Sequence, residues 1–198
     1  MFPDLLRDDV FRLETRRLWL RWPRATDAAL IARFLGERDV AEMTAHAPHP
    51  YPPGAAADFV LKARADNMGG SDLVLVLAPK VRPSEMISVI GLHGRGAQDA
   101  ELDFWLGKPF WSQGYMSEAA HALLDMAFSL TDLTAVHAVA RQGDLASRHV
   151  LEACGFHAAG SGVETIPVER FALTRSQRLL AELTMAGRDL VPPHMQTA

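Results

Sequence analysis

The chain has 198 residues, 48% of them hydrophobic and 22% charged, the composition of an ordinary globular domain long enough to bury a good-sized core. Its formal net charge of −4 works against broad attraction to nucleic acid or acidic membranes and leaves room for a cationic substrate such as an amine. A lone cysteine, Cys154, excludes an internal disulfide; the opening residues, with Asp4, Asp8 and Asp9, do not read as a signal peptide; and no apolar run approaches the ~20 residues of a membrane span, so a soluble cytoplasmic protein is expected.

Residues 1 to about 12 read as a short leader. Arg17-Leu18-Trp19-Leu20-Arg21 alternates polar and apolar, the pattern of a strand with one buried face. Thr26-Asp27 offers a cap for a helix through Leu30, Ile31, Phe34 and Leu35, and a second short helical piece follows over Asp39 to Met43. Across 46–54, Pro48, Pro50, Pro52 and Pro53 remove donors and fix dihedral angles, so that stretch is a loop. Asp58 to Asn67 reads as a helix stopped by Gly69-Gly70. Leu73 to Leu77 is continuously apolar, as in a sheet covered on both faces. Met86 to Leu92 is the next strand, and His93 to Asp99 a flexible hairpin connection to a strand starting at Glu101. Gly91-Leu92-His93-Gly94-Arg95-Gly96 has neither the Walker lysine nor dinucleotide spacing and reads as a turn.

The most informative stretch runs from Leu102 to Ala119. An apolar strand, Leu102 to Leu106, meets Gly107 and Pro109, and the Gln113-Gly114 pair opens an amphipathic helix through Ala119, Ala120, Leu123, Leu124, Ala127 and Phe128. The first turn of a helix leaves its N–H groups unpartnered and carries a partial positive charge, so phosphate is a natural ligand there. Gly114, with no side chain, would let a diphosphate approach closely. Each such contact is worth only ~0.3–1 kcal/mol at a surface, so several amides must act together. Alone, the pattern equally describes a strand-to-helix turn with no ligand. Beyond it, Ala135 to Ala140 is a strand, and Asp144 caps a helix over Ser147 to Cys154 that Gly155 ends. Phe156 to Ser161 and Val168 to Leu173 supply the last strands, and 177–185 a terminal helix. The expected fold is α/β, a mixed and mostly antiparallel sheet of about seven strands flanked by helices, in one domain over 13–175 with a helix and tail over 176–198.

The segment Glu101 to Phe156 resembles the GNAT superfamily of acyl-CoA N-acyltransferases, in particular its RimJ/RimL-type branch. The likeness is carried by Ala100-Glu101-Leu102-Asp103-Phe104-Trp105-Leu106, then Trp111-Ser112-Gln113-Gly114-Tyr115-Met116-Ser117-Glu118-Ala119, then Asp144-Leu145-Ala146-Ser147-Arg148-His149-Val150-Leu151-Glu152-Ala153-Cys154-Gly155-Phe156, in matching order and spacing. A looser likeness covers Leu13 to Arg21. The resemblance implies an acetyltransferase using acetyl-CoA and direct attack by an amine, with no metal. It implies main-chain contacts from Phe104, Trp105 and Leu106 to the pantetheine arm, and from Gln113, Gly114, Tyr115, Met116 and Ser117 to the diphosphate. It also places the candidate base at Glu101 and the candidate proton donor to the thiolate at Ser147.

Desolvation beside Trp105 would make Glu101 a better base; a solvated strand-edge carboxylate is the plainer reading. Asp103 shares its face by the period of two and stands where the family has a small residue, so it is either a mark of an acidic acceptor pocket or a reserve base. Asp144 replaces the usual Asn and has no N–H to donate to the pantetheine arm. Arg148 is a candidate for a coenzyme phosphate, or a solvated helix arginine. His46, His49 and Tyr51 would line the acceptor pocket from the proline-rich loop, and Cys154 belongs to the core. An α-amine, with pKa about 7.7–8.0, is partly neutral at pH 7, whereas lysine at about 10.4 costs roughly 4.6 kcal/mol to deprotonate. A weak base therefore suffices for an α-amine, and the resemblance to the RimJ/RimL-type branch implies a protein or peptide N-terminal α-amine as the acceptor. The alternatives are a small-molecule amine, such as an aminoglycoside or polyamine, and a non-catalytic acyl-CoA sensor of the same fold. Acetyl-CoA and the amine are the partners, without nucleic acid or membrane; the oligomeric state, a homodimer included, stays open.

Overall fold

The structure is a computed structural model that describes residues 1–3, 6, 9–44, 47–163 and 166–181. Among these, the strands are β1 Arg12–Glu14, β2 Leu18–Arg21, β3 Asp72–Pro79, β4 Ser88–Gly94, β5 Asp99–Leu106, β6 Ala135–Arg141, β7 His157–Val163 and β8 Pro167–Thr174. They form one sheet in the order β1-β2-β3-β4-β5-β6-β8-β7. Every neighbouring pair is antiparallel except β5–β6, which is parallel. The helices are α1 Ala28–Gly36, α2 Arg38–Met43, α3 Ala55–Gly69, α4 Tyr115–Leu130 and α5 Leu145–Ala153. None of the described helices is long and apolar enough to cross a membrane.

The continuous apolar run of β3 is explained by its position. Leu73, Leu75 and Leu77 face one layer with Leu123 and Leu124 of α4, while Val74 and Val76 face the other with Ile31, Phe34 and Val60 of α1 and α3. Both faces are therefore covered. The eighth strand, β1, lies at the sheet edge against β2 and is too short for a period-two pattern to show in the sequence. The leader also differs from expectation. Phe2 and Leu6 are buried in the α4-side core, the Phe2 N–H donates to the Gly70 carbonyl at 3.1 Å, and Trp22 Nε1 donates to the Leu6 carbonyl at 3.2 Å. The terminal helix begins at 175 and runs to 181; the rest of its expected span lies outside the described residues.

The feature that shapes the site is a divergence. β5 and β6 pair only from Asp99↔Ala135 to Leu102↔Ala138. Past that point β5 stays on β4 as far as Leu106↔Ser88, and β6 stays on β8 as far as Arg141↔Val168. A wedge opens between them. The bond from the Gly107 N–H to the Ile87 carbonyl, 3.0 Å, fixes the phase of the β4–β5 ladder: Asp103 and Trp105 turn their backbone groups toward β4, whereas Phe104 and Leu106 turn theirs into the wedge. Side chains alternate oppositely across the sheet, so Glu101, Asp103 and Trp105 share the α1–α3 face and Phe104 and Leu106 the α4 face.

Thr26-Asp27 does more than start a helix. The Asp27 side chain makes no capping bond to α1; instead its carboxylate accepts two bonds from the Arg21 guanidinium, at 2.8 and 2.9 Å, and one from the Arg24 N–H at 2.7 Å. Arg21 and Asp27 are 4% and 1% exposed, so truncating one strands the other charge without solvent. Asp27→Ala is expected to destabilise the fold by ~3–5 kcal/mol, read from chemical denaturation; a loss below about 1 kcal/mol would contradict this.

Candidate active site

On the α4 side the wedge leads to the turn before α4. Ser112 (φ 58°) and Gly114 (φ 72°) both take left-handed conformations. This is routine for glycine and costs a residue with a Cβ about 1–2 kcal/mol, so the turn is a specified shape. The amides of Gly114, Tyr115, Met116 and Ser117 donate to no protein acceptor among the described residues. They border a cavity of about 790 Å³, whose other walls are Phe104 to Leu106 and the stretch Gly143 to Ser147.

The turn is anchored from the connection between β1 and β2. Glu118, in the first turn of α4, accepts from Thr15 Oγ1 (2.6 Å), the Arg17 N–H (2.7 Å) and Arg17 Nε (2.6 Å), while Arg17 Nη1 donates to the Gln113 carbonyl (2.8 Å). The Arg17 guanidinium also lies 4.4 Å from the Tyr115 ring centre. Burial by itself raises the Glu118 carboxyl, but these hydrogen bonds and the Arg17 charge hold it below its usual range.

A second cavity, of about 290 Å³, opens on the α1–α3 side and is lined by Leu35, Tyr51, Phe59, Glu101, Asp103 and Trp105 among others. The two cavities share Met43, Phe104, Trp105, Asp144 and Ser147, so they adjoin where the strands part. Helix α2 spans the mouth of the wedge: Asp39 is ion-paired with Lys108 after β5, and the Glu42 carbonyl accepts from Arg141 at the end of β6.

The expected site residues are distributed as follows. Glu101 lines the smaller cavity, but its carboxylate is ion-paired with Arg95 at 2.8 Å; it is a partnered carboxylate rather than one isolated beside Trp105. Ser147 is half-buried and faces both cavities, held by its own N–H donating to Asp144 Oδ1 at 3.0 Å. Asp144 is thereby committed to capping α5, a task a carboxylate performs as well as an Asn amide. Of Phe104, Trp105 and Leu106, the ladder phase turns only Phe104 and Leu106 toward the wedge. The Leu106 carbonyl is already taken by Trp111 Nε1 at 2.6 Å and the Trp105 carbonyl by Ser88 Oγ, so Trp105 contributes its ring.

Gly114, Tyr115, Met116 and Ser117 line the larger cavity, whereas Gln113 does not, its side chain donating to the Pro109 carbonyl at 3.0 Å. Arg148 points away, paired with Glu152 at 2.8 Å and Glu169 at 3.5 Å; His149 lines the cavity instead. Tyr51 lines the smaller cavity, its phenol raised by burial. His49 is exposed and off the wall, and His46 lies outside the described residues. Cys154 is buried, its thiol pushed up to about 12 chiefly by burial, consistent with a core residue.

The expected turn over Gly91 to Gly96 is strand for its first four residues, because β4 extends to Gly94. His93 sits on it between Asp72 (Nδ1···Oδ2, 2.7 Å) and Asp103 (Nε2···Oδ1, 3.0 Å). Burial alone lowers this imidazole, but the hydrogen bonds and charges of Asp103 and Asp72 overcome it and push it up to about 9. Reading His93 as part of a loop hid this contact; the apolar run ending at Leu92 gave no sign that the strand continued.

A model of the acetyltransferase (GNAT) domain family matches residues 17–157. No curated protein matches the chain. Among solved structures, RimL, described as a ribosomal L7/L12 alpha-N-protein acetyltransferase in complex with coenzyme A, is similar over 83% of this chain and 98% of its own, with 15% identity and TM-score 0.74. The ribosomal-protein-S5-alanine acetyltransferase from Vibrio fischeri gives 83%, 97%, 17% and 0.71. The spermidine N-acetyltransferase from Vibrio cholerae, in complex with CoA and spermine, gives 82%, 98%, 18% and 0.69. At these identities the likeness is one of fold.

The His93 geometry has a measurable consequence. Its folded-state pKa of about 9 lies above the ordinary 6.5, so the stability it adds is complete below about pH 6.5 and lost as pH rises through about 9. The thermal midpoint of the wild type, relative to that of His93→Gln, is expected to fall between those limits; a difference constant with pH would contradict it.

Proposed function

The chain belongs to the acetyltransferase (GNAT) family, and from that premise we propose that it moves an acetyl group from acetyl-CoA to a primary amine, in the first place a protein or peptide N-terminal α-amine. The observation that carries this reading is the meeting of two cavities at the parting of β5 and β6. One ends at unpartnered helix amides suited to linked phosphates, and the other is walled by aromatic rings and two carboxylates suited to an amine. The larger cavity has the size of an ordinary ligand site.

The reaction needs a neutral nitrogen. An ammonium arriving in the smaller cavity gives one proton to Glu101, directly or through water, and an α-amine needs little help in doing so. The nitrogen then attacks the thioester carbonyl, a C–N bond forms, and the C–S bond breaks as the tetrahedral intermediate collapses. The excess proton on the attacking nitrogen passes, directly or through water, to the departing sulfur, which leaves as the thiol. Ser147 Oγ, on the wall common to both cavities, donates a hydrogen bond to that sulfur. Asp144 contributes by capping α5 and fixing where Ser147 stands. The Phe104 N–H and C=O, left without a β6 partner, are the strand groups available to an extended amide-bearing arm.

A small polyamine is the second reading. The likeness to a spermidine N-acetyltransferase and the pair Glu101 and Asp103 in one cavity favour it. Thiol release from acetyl-CoA over a panel of amines separates the two: peptides with free α-amines are expected to outrun spermidine and free sugars, and the reverse order would select the second reading. Glu101→Gln is expected to lower kcat by roughly 10²–10⁴-fold with the KM for acetyl-CoA little changed, and Ser147→Ala to lower kcat to a smaller degree. Rates left intact by both changes would remove these roles. Because Glu118 holds Arg17 against the α4 turn, Glu118→Ala is expected to weaken coenzyme A binding roughly tenfold by titration calorimetry; unchanged affinity would show that the turn needs no such anchor.

A further inference from the structure

Asp72, His93 and Asp103 occupy three adjacent strands on the α1–α3 face of the sheet. Asp72 is opposite His93 in register, but Asp103 is opposite Gly91, so the imidazole reaches diagonally across Gly91 to meet it. A Cβ at residue 91 would stand 2.7 Å from Asp103 Oδ1 and 2.8 Å from His93 Nε2, closer than any real contact. The glycine is what leaves room for the pair. Both ring nitrogens face carboxylate oxygens, which only accept hydrogen bonds, so the imidazole in this arrangement carries both protons. Asp72 is fixed in turn by the Gly94 N–H, 3.3 Å from its Oδ1. The other charges nearby have partners of their own: Glu101 with Arg95, His137 with Asp99, and Lys62 of α3 with Asp66. Asp103 Oδ2 has no protein partner among the described residues, and Asp103 lines the acceptor-side cavity.

We propose that His93 and Asp72 are positioning residues for Asp103, holding its carboxylate at the acceptor cavity so that the oxygen His93 does not bind receives the acceptor's ammonium before a proton is lost. This rests on the amine-acetyltransferase reading above and gives it a docking group distinct from the proposed base, Glu101. The raised pKa of His93, about 9, agrees with an imidazolium that keeps its proton through the working range of an α-amine.

The test is a kinetic cycle on the full-length protein with the best amine of the panel. His93→Gln is expected to raise the acceptor KM roughly tenfold, leaving kcat, the KM for acetyl-CoA and the fold little changed. In an Asp103→Asn background the same change is expected to add less than about twofold, because the two act as one unit. Gly91→Ala, which forces the pair apart, is expected to reproduce the His93→Gln pattern and serves if that variant folds poorly. Equal effects of His93→Gln in both backgrounds, or an unchanged acceptor KM in a wild type that turns over, would overturn this inference and leave the amine-acetyltransferase reading standing. A wild type that releases no thiol with any amine would overturn both.

Discussion

The architecture depends on a hydrogen-bond ladder that stops. Parallel pairing between β5 and β6 ends at Leu102 and Ala138, yet both strands continue, each held by its antiparallel neighbour on the far side. Buried backbone groups without partners are costly, so a gap in the middle of a sheet persists only where something else meets those groups. Here the strand edge at Phe104 and the amides opening α4 border one cavity. An extended chain bearing amides and phosphates has the chemistry to satisfy both.

The surrounding charges follow from that gap. Arg17 and Glu118 stiffen the α4 turn on one side. On the other, Asp39 with Lys108 and Glu42 with Arg141 tie α2 across the mouth, placing Met43 between the two cavities. The carboxylates of the smaller cavity each have a partner, Glu101 in Arg95 and Asp103 in His93. The pocket therefore presents oriented acceptors rather than a bare cluster of like charges, whose mutual repulsion would drive protons onto it.

Much of the fold was legible because its signals are local. The unbroken apolar run of β3, the Asp144 cap and the glycines at 70, 114 and 155 each act through their own few residues, whereas the alternation expected over Arg17 to Arg21 fails at Arg21, which is buried against Asp27. Strand β1 and the buried Phe2 and Leu6 were not legible, because three residues show no period and a leader's burial is decided by what it packs on. At the site, the turn before α4 was read from pattern, and Ser147 was singled out by the family resemblance. The partners of Gln113 and Arg148 were legible only in part: Pro109 and Glu152 each lie four residues along the chain from them, whereas Arg17 and Glu169 are brought to them by the fold. The same holds for His93: the spacing from Asp72 to Asp103 in sequence says nothing, and only strand register makes them neighbours across Gly91.

The most direct test of the account is an amide chemical-shift titration of the isotopically labelled protein with coenzyme A. The account predicts that the largest and saturable shifts fall on Gly114, Tyr115, Met116 and Ser117 together with Phe104 across the wedge. Saturable shifts confined to other elements, with those amides unmoved, would contradict it.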